Sequence, residues 1–409
     1  MSRTSSVCRS YNKYYPYTGT ITPYYNVYTS SEEPITLTSI PAYANHSDTW
    51  QTCPEFVRGN GLHLSRGGEI DMATLGERIR AKLTRLFDRN GVNNFEFRST
   101  ASKRGVGSMI AFVKGVFNVS LSEWLPNEAM LFSALNMTEH NTRSLISYEN
   151  TWVHMEIGPG INDTLLKPYD TCAPWKEETN REMEAFVNGP EMTKVFDDVA
   201  RRMKIPRIYK TEKVSLLYDI CRFERTVCPI KPSPWCDMFT EDEMKALEYE
   251  EDLQFYYDAG PGDTLNSQLG CHLIRDMFER FTKLEMNQTQ SRHIAKQNGV
   301  FYFAHSHMIT MFLSALGIGK DSVPLTATNF RDMSNRSWRI SRLVPFNANI
   351  AAVFHRCNTS EAPFRVTFYL NEYPLTLEGC KNGVCDWAQL KKKFDTIAAN
   401  CTPNICRKN

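Results

Sequence analysis

The sequence lacks three features that would each point directly to a class of function. It carries almost no excess charge, with 47 Lys and Arg against 46 Asp and Glu, and no dense basic block, so we expect no nucleic-acid-binding surface. Its longest apolar run, residues 308–318, is far shorter than the ~20 residues of a membrane span. It also has no internal repeat. These absences leave an ordinary globular chain of 409 residues, long enough for roughly two or three domains.

Cysteine, in contrast, is plentiful: the even count of 12 suggests disulfides. The spacings Cys380-x4-Cys385 and Cys401-x4-Cys406 predict two small C-terminal disulfides, and Cys8 and Cys53 are candidates to hold the N-terminal segment. No Cys/His set has the spacing of a zinc site, so we expect neither a metal nor another cofactor. Eight N-x-[ST] sequons accompany them, beginning at Asn45, Asn118, Asn136, Asn162, Asn287, Asn335, Asn358 and Asn400.

Cysteines and sequons together predict a glycosylated protein of the secretory pathway, in the endoplasmic reticulum lumen or outside the cell. The N-terminus disagrees, because residues 1–6 (MSRTSS) lead into a Tyr-rich stretch with no apolar segment of a signal peptide. Two alternatives follow. Either the N-terminus is incomplete, or the chain is cytosolic and its cysteines are reduced.

The order of the segments predicts an α/β core interrupted by a helical insertion. Residues 1–33 are expected to form an extended N-terminal arm. Two segments, 34–119 and 296–409, are expected to form the core, and the charged amphipathic stretches of residues 120–295 to form a helical cap. The expected core strands are residues 35–40, 95–98, 301–304, 350–354 and 364–370, and the expected helices include 72–86, 109–116, 306–316 and 386–399.

Two predicted strand ends carry groups that suit an anion, and ligands of open α/β sheets bind at such ends. Arg98, Ser99 and Thr100 follow the strand FEFR, with Arg104 on the next helix. A guanidinium, hydroxyls and a helix N-terminus together favour a phosphate site. The alternative is structural: Ser99 or Thr100 merely caps the helix and Arg98 lies on the surface.

The strand FYFA ends in His305-Ser306-His307, which also opens a helix. One or both imidazoles are expected to face the same pocket, and the alternative is a pair of capping or partly buried histidines. Metal binding is disfavoured, because no carboxylate pair accompanies these two rings.

These segments occur in an order that resembles the histidine acid phosphatases, and more closely the multiple inositol polyphosphate phosphatases. The resemblance covers nearly the whole chain. The matching motifs are residues 17–24 (YTGTITPY), 64–68 (LSRGG), 97–115, 169–172 (YDTC), 189–192 (GPEM), 233–237 (SPWCD), 247–257, 302–305 (YFAH), 343–346 (LVPF), 364–366 (FRV) and 370–372 (LNE).

The resemblance implies the family's fold and chemistry: a doubly wound core, an inserted helical cap, and hydrolysis of phosphomonoesters through a phosphohistidine. In the family, the nucleophile lies in an R-H-G-x-R motif after the first core strand, and an acid follows a second histidine. The resemblance assigns Arg98 to the family's separate phosphate-binding arginine and His305 to the second phosphate-binding histidine. The implied ligand is a phosphorylated small molecule such as an inositol phosphate.

Two positions depart from the family. After residues 34–40, where the family has R-H-G-x-R, the chain has PAYAN, and R-H-G occurs nowhere in the sequence. His46 lies a few residues later and is a weak candidate for a substitute nucleophile, because a nucleophile must be held at near-attack distance. The glutamate of the family's H-A-E motif is replaced by His307, which as an imidazolium is a candidate proton donor.

Three functions remain open at this point. The leading one is a protein that binds phosphorylated ligands such as inositol polyphosphates with impaired or lost hydrolysis, since a lost nucleophile typically costs on the order of a million-fold in turnover. The second is an active acid phosphatase or phytase-type hydrolase that uses a substitute nucleophile, or whose recorded sequence is incomplete. The third is an extracellular interaction protein that kept only the scaffold.

Overall fold

A mixed β-sheet with helices on both faces organises the molecule. The computed structural model describes residues 8–9, 17–20, 63–88, 95–117, 142–148, 151–177, 180–206, 210–227, 233–289, 299–357, 363–401 and 406. The strands are β1 (Cys8–Arg9), β2 (Tyr17–Thr20), β3 (Phe95–Ser99), β4 (Thr142–Tyr148), β5 (Thr151–Ile157), β6 (Gly299–His305), β7 (Ala348–Cys357), β8 (Phe364–Leu370), β9 (Tyr373–Pro374) and β10 (Val384–Asp386).

The helices of the described residues surround this sheet. They are α1 (Arg66–Lys82), α2 (Thr84–Asp88), α3 (Lys103–Phe117), α4 (Ala173–Glu177), α5 (Arg181–Val187), α6 (Pro190–Met203), α7 (Lys210–Val227), α8 (Glu241–Asp258), α9 (Thr264–Thr289), α10 (Ser306–Leu316), α11 (Ile340–Leu343) and α12 (Trp387–Asn400). Two short 3₁₀ helices, Pro168–Thr171 and Cys236–Met238, complete the set.

The sheet has the strand order β10-β8-β7-β2-β6-β3-β5-β4. Its centre is parallel: β2, β6, β3 and β5 all run in one direction. The flanking strands β7 and β4 are antiparallel to their central neighbours. The carboxyl ends of the four parallel strands therefore lie along one edge of the sheet, which is where α/β proteins of this kind bind ligands.

Each face of the sheet has its own apolar core, because alternate residues of a strand point to opposite sides. On one side, Phe97 and Phe301 stack at 4.9 Å between ring centroids and pack beneath α1 and α3. On the other side, Tyr302 and Phe354 join the core formed with α9, α10 and α12. The doubly wound α/β core that the sequence predicts is confirmed.

Helices α1 and α3 approach each other more closely than helices with larger residues allow. A Cβ on Gly115 would overlap the carbonyl group of Ala73, and one on Gly76 would overlap that of Phe112. The absence of side chains at these two positions brings the α3 backbone close to α1. This contact fixes α3, whose N-terminus faces the carboxyl edge of the sheet.

Several predicted elements are confirmed at their positions, among them the helix of residues 306–316 and the strand that precedes it. Two predictions need correction. The N-terminal arm contains β2, which lies in the middle of the sheet and not beside it. The interval 120–295, predicted as a helical cap, contains β4 and β5, which extend the sheet beyond β3.

Both errors have a local cause. The segment YTGT of β2 is short and contains a glycine, which weakens a strand signal. The strands β4 and β5 are followed by a long series of helices, α4 to α9, which dominates the pattern of this interval. Residues 35–40, the predicted first core strand, lie outside the described residues. A separate helical cap domain within residues 120–295 stays a prediction.

The disulfides also differ from the expectation. Cys380 pairs with Cys385 as predicted, but Cys401 and Cys406 do not pair with each other. Cys401 bonds to Cys271 of α9, and Cys406 bonds to Cys172, 234 residues earlier in the chain. Cys221 and Cys236 form a further bond. The two disulfides between residues far apart in sequence, Cys172–Cys406 and Cys271–Cys401, hold the C-terminal end of the chain against earlier helices and turns. Cysteine spacing alone cannot predict such pairs.

Candidate functional site

The two strand ends that the sequence singles out meet at the carboxyl edge of the sheet. His305 is the last residue of β6 and the N-cap of α10. Thr100 follows β3, and its backbone N–H donates to the carbonyl of Phe303 at 3.0 Å. Thr20, the last residue of β2, is paired with His305 in the sheet register. The site therefore lies over the centre of the sheet, between the N-termini of α3 and α10.

Hydroxyl groups surround the first turn of α3. A Cβ on Gly105 would lie 2.7 Å from the Oγ of Ser102, 2.9 Å from that of Ser99 and 3.0 Å from the Oγ1 of Thr100. A glycine at this point lets the three side chains gather at the helix N-terminus. The first turn carries Arg104 and no acidic residue. Because a helix N-terminus disfavours positive charge, this composition is typical of an anion site and not of a helix optimised for stability alone.

His305 is a deeply buried titratable group of this edge, with 3% of its surface exposed. Its Nε2 lies 3.3 Å from the Oγ1 of Thr100, and its Nδ1 has no hydrogen-bond partner among the described residues. Burial lowers the pKa of His305 well below its usual 6.5, and the positive charges of Arg104 and Lys167 lower it further. His305 is therefore neutral at physiological pH and has one ring nitrogen available for a ligand.

His307 lies two residues further on, at the start of α10, among aromatic rings. Its ring centroid is 5.0 Å from that of Phe255, 5.7 Å from that of Tyr169 and 6.0 Å from that of Trp175. Burial lowers the pKa of His307 to about 4, against the opposing effect of the negative charge of Asp170. The expected imidazolium is thus corrected to a neutral ring, because its surroundings do not solvate a charge. Its role as a proton donor stays a prediction.

We expect His307 to make the folded protein sensitive to acid. The folded ring takes up a proton only near pH 4, whereas an unfolded histidine does so near 6.5. Between these values the unfolded state binds more protons, so stability falls as the pH drops from 6.5 toward 4. The variant His307→Phe should lose less melting temperature over this interval than the unchanged protein, measured by calorimetry at constant salt. Parallel curves for the two proteins would contradict the neutral ring.

Arg98, the predicted phosphate ligand, is already held by two carboxylates. Its Nη2 donates to the Oδ1 of Asp163 at 3.0 Å, and its Nη1 lies 3.7 Å from the Oε1 of Glu156. Asp163 is only 2% exposed and also accepts from the backbone N–H groups of Leu165 and Leu166. The guanidinium is therefore largely neutralised on the side of β5, which favours a positioning role over direct contact with an anion.

The sequence predictions miss the segment that supplies Asp163. It follows β5, and a Cβ on Gly158 at its start would overlap the Oδ2 of Asp163. The same segment supplies Lys167, whose Nζ forms an ion pair with the Oδ2 of Asp170 at 3.0 Å, and whose charge acts on His305. Recognising residues 151–157 as a further strand of the parallel set would have placed these groups at the same edge.

The remaining expectations concern a nucleophile, a metal and a membrane. His46 lies outside the described residues. Among the residues that the structure describes, the compact group of possible metal ligands is Cys271, His272 and Cys401, but both sulfurs belong to the same disulfide. Within these ranges no helix is long and apolar enough to cross a membrane.

No R-H-G motif follows β2, the strand next to His305; the motif is expected after residues 34–40, which lie outside the described residues. Thr20 ends β2 beside His305, and the sequence continues with residues 21–24 (ITPY), which contain neither histidine nor arginine. The geometry thus brings together Arg104, His305, His307 and the hydroxyl groups of the α3 N-terminus.

Comparisons with known proteins agree with this geometry. The family model described as histidine phosphatase superfamily (branch 2) matches residues 26–371. Multiple inositol polyphosphate phosphatase 1 of Homo sapiens is 28% identical over 349 residues, which cover 83% of this chain and 66% of the relative. The enzyme of the same name from Drosophila melanogaster is 32% identical over 250 residues, covering 60% and 51%. The chain thus spans about half to two thirds of the length of these relatives.

Two solved structures show the same fold. The phytase from D. castellii has a TM-score of 0.68 at 17% identity and covers 100% of this chain and 84% of its own. The multiple inositol polyphosphate phosphatase of Bifidobacterium longum, in complex with inositol hexasulfate, has a TM-score of 0.66 at 13% identity, covering 98% and 94%.

Proposed function

Because the chain belongs to the histidine phosphatase superfamily (branch 2), we propose that it binds phosphorylated small molecules, inositol polyphosphates in particular, at the edge around His305. We further propose that it hydrolyses them poorly or not at all. The relatives support the ligand class, since they are named inositol polyphosphate phosphatases and one is a complex with inositol hexasulfate. The missing R-H-G motif supports the loss of hydrolysis.

The single observation that carries the proposal is a set of buried polar atoms that need a partner. His305 Nδ1 and the Oγ of Ser108, one turn beyond Arg104 on α3, lack a hydrogen-bond partner in the described part of the chain. Ser108 is 1% exposed and His305 3%. Buried polar groups without partners are costly. A phosphoryl group has three or four acceptor oxygens and would satisfy donors at this position.

Arg104 is the cation best placed to hold such a group. It lies in the first turn of α3, and its charge acts on the imidazole of His305. Arg98 forms ion pairs with Asp163 and Glu156 and thereby links β3 to β5 and to the segment that follows β5. In this assignment Arg104 and His305 contact the phosphoryl oxygens, Arg98 is a positioning residue, and His307 lies next to the leaving group.

The test measures binding and hydrolysis separately. Isothermal titration calorimetry with inositol hexakisphosphate should show binding that is lost at high salt, because exposed charge pairs are screened. Phosphate release from the same compound, followed from pH 4 to 7, should not exceed that of Arg104→Gln. Release that disappears in this variant would contradict the loss of hydrolysis, and a phosphoenzyme trapped with ³²P would then locate the nucleophile. No binding at low salt would overturn the whole proposal.

We also propose that the protein belongs to the secretory pathway. The disulfides that the described residues form support an oxidising compartment. Two of the sequons offer exposed asparagines on the folded surface, Asn162 in the turn after β5 and Asn335 before α11. Both are accessible to a bulky glycan without disturbing a core.

We expect Asn162 and Asn335 to carry glycans when the protein is expressed with a secretory leader in a eukaryotic host. Enzymatic deglycosylation in H₂¹⁸O followed by peptide mass spectrometry should convert both to ¹⁸O-labelled aspartate. Asn382, which is exposed but has no sequon, serves as the control for spontaneous deamidation. Unmodified peptides at both sequons, together with cysteines of the native protein that alkylate without prior reduction, would contradict the proposed location.

A further inference from the structure

Hydrogen bonds through the hydroxyl groups of Ser102 and Thr100 connect the first turn of α3 to the imidazole of His305. The backbone N–H of Gly105 donates to the Oγ of Ser102 at 3.2 Å. This oxygen lies 3.2 Å from the Oγ1 of Thr100, which lies 3.3 Å from the Nε2 of His305. Thr100 has no exposed surface, so its hydroxyl group has no exchange with bulk water to decide its orientation.

The hydrogen bonds alone allow two directions of this hydrogen-bond chain, because a hydroxyl group has one proton to donate and two lone pairs with which to accept. In the first direction Ser102, which accepts from Gly105, donates to the Oγ1 of Thr100, and Thr100 donates to the Nε2 of His305. In the second, Nε2–H of His305 donates to Thr100, Thr100 donates to Ser102, and the half-buried Ser102 donates to water. Only the first direction leaves a proton on Nδ1, which an anionic ligand requires.

We infer that Thr100 holds His305 as the tautomer with the proton on Nδ1, so that the ring offers a hydrogen-bond donor to the ligand. In a neutral imidazole one nitrogen donates and the other accepts, and the partner of one nitrogen decides the state of the other. Nε2, which accepts from Thr100, holds the lone pair, and Nδ1–H is the buried group without a partner. Thr100 is thus a positioning residue for the anion site.

The tautomer matters because an anion needs a donor. With the proton on Nε2, Nδ1 would present a lone pair to an oxyanion and repel it. With the proton on Nδ1, a neutral ring binds the oxygen by a hydrogen bond without carrying a charge. The inference therefore explains how a histidine that burial keeps neutral still contributes to binding. The inference rests on the proposed function, because the need of an anionic ligand for a donor selects the direction of the hydrogen bonds.

The same tautomer excludes His305 as a substitute nucleophile. Attack on phosphorus requires a lone pair on the attacking nitrogen, with the phosphorus–nitrogen bond forming as the leaving oxygen departs. Nδ1 carries a proton, and the lone pair of Nε2 is directed at the hydroxyl group of Thr100 at 3.3 Å. His305 in this state can bind a phosphoryl group but cannot accept it.

Long-range ¹H–¹⁵N NMR spectra of protein labelled with ¹⁵N-histidine test the inference directly. His305→Gln assigns the resonances of this ring among the nine histidines. We expect Nδ1 of the ligand-free protein to show the shift of a protonated nitrogen. Thr100→Val should populate the other tautomer and weaken the binding of inorganic phosphate about fivefold to tenfold, the effect of one hydrogen bond. Thr100→Ser should restore both.

Thr310→Val is the matched control. Thr310 is equally buried, but its hydroxyl group bonds to the carbonyls of Ser306 and His307 on its own helix and does not contact the ring of His305. It should change neither the tautomer nor the affinity. An Nε2-protonated ring in the unchanged protein would overturn the inference, whether or not Thr100→Val folds. An Nδ1-protonated ring in a protein that does not bind phosphate would leave the inference standing and overturn the proposed function.

Discussion

Replacing Arg104 by glutamine is expected to weaken the binding of inositol hexakisphosphate by about 10- to 100-fold. A charge-assisted hydrogen bond to a phosphoryl oxygen contributes roughly 1.5–3 kcal/mol, and Arg104 is the first-turn cation whose charge reaches His305. Titration calorimetry at constant, low salt measures the change in Kd. The salt dependence of binding should also become shallower, because one cation fewer contributes to the interaction.

Arg98→Gln, the same substitution six residues earlier, is the matched variant, and we expect the opposite profile. It removes the cation that faces Asp163 and Glu156. Breaking a buried ion pair by deleting one partner costs about 3–5 kcal/mol, and the partial exposure of Arg98 reduces this to roughly 2–4 kcal/mol. Chemical unfolding should therefore show a larger loss of stability for Arg98→Gln than for Arg104→Gln.

The two variants together decide which arginine contacts the ligand. If Arg98→Gln weakens binding at unchanged stability while Arg104→Gln leaves the affinity intact, the assignment implied by the family resemblance is right and the one derived from the ion pairs is wrong. Melting temperatures measured with and without ligand separate the two effects, since a ligand stabilises only the protein that binds it.

The arginine question shows what sequence patterns resolve at this site. Hydrophobic periodicity finds α3, α10 and the strands before them, because each is defined by residues within one element. It therefore places Arg98 and His305 at strand ends and Arg104 at the start of the helix after β3. It cannot show which of the two arginines contacts the ligand. The group that distinguishes them is Asp163, 65 residues after Arg98 in sequence. Asp163 follows β5, a strand that the sequence pattern does not reveal because helices dominate this interval.

The state of His307 is unpredictable from sequence for the same reason. The aromatic rings around it belong to Tyr169, Trp175 and Phe255, from two segments that approach only in the folded chain. The sequence pattern shows that this histidine lies at the start of a helix, but it does not show whether water or apolar side chains surround the ring. The sequence therefore predicts the position of His307 correctly and its charge wrongly.

Removing the disulfide between Cys172 and Cys406 is expected to have the largest effect on stability. Because Cys271–Cys401 already ties the chain nearby, this bond closes an additional loop of roughly 100 residues, from 172 to 271 and from 401 to 406. Chain entropy predicts a loss of about 4–5 kcal/mol for a loop of this length. The double variant Cys172→Ser/Cys406→Ser avoids a free thiol, and urea unfolding under non-reducing conditions measures the loss.

The double variant Cys380→Ser/Cys385→Ser is the matched control. Its disulfide joins residues only five apart in sequence, and the same relation gives about 2 kcal/mol. Cys380 lies in the turn before β10 and Cys385 within β10, an outer strand of the sheet. We expect a smaller loss of stability and no change in the affinity for inositol hexakisphosphate. Equal losses for the two double variants would contradict the chain-entropy argument.

Binding should respond only to the first pair, because Cys172 ends the 3₁₀ helix Pro168–Thr171. That helix places Tyr169 against the ring of His307 and follows Lys167, whose charge acts on His305. Without the disulfide, the segment loses its covalent link to the C-terminal end and both contacts loosen. We therefore expect a weaker affinity even at temperatures where the variant is fully folded. An unchanged Kd under those conditions would show that core packing alone holds this side of the site.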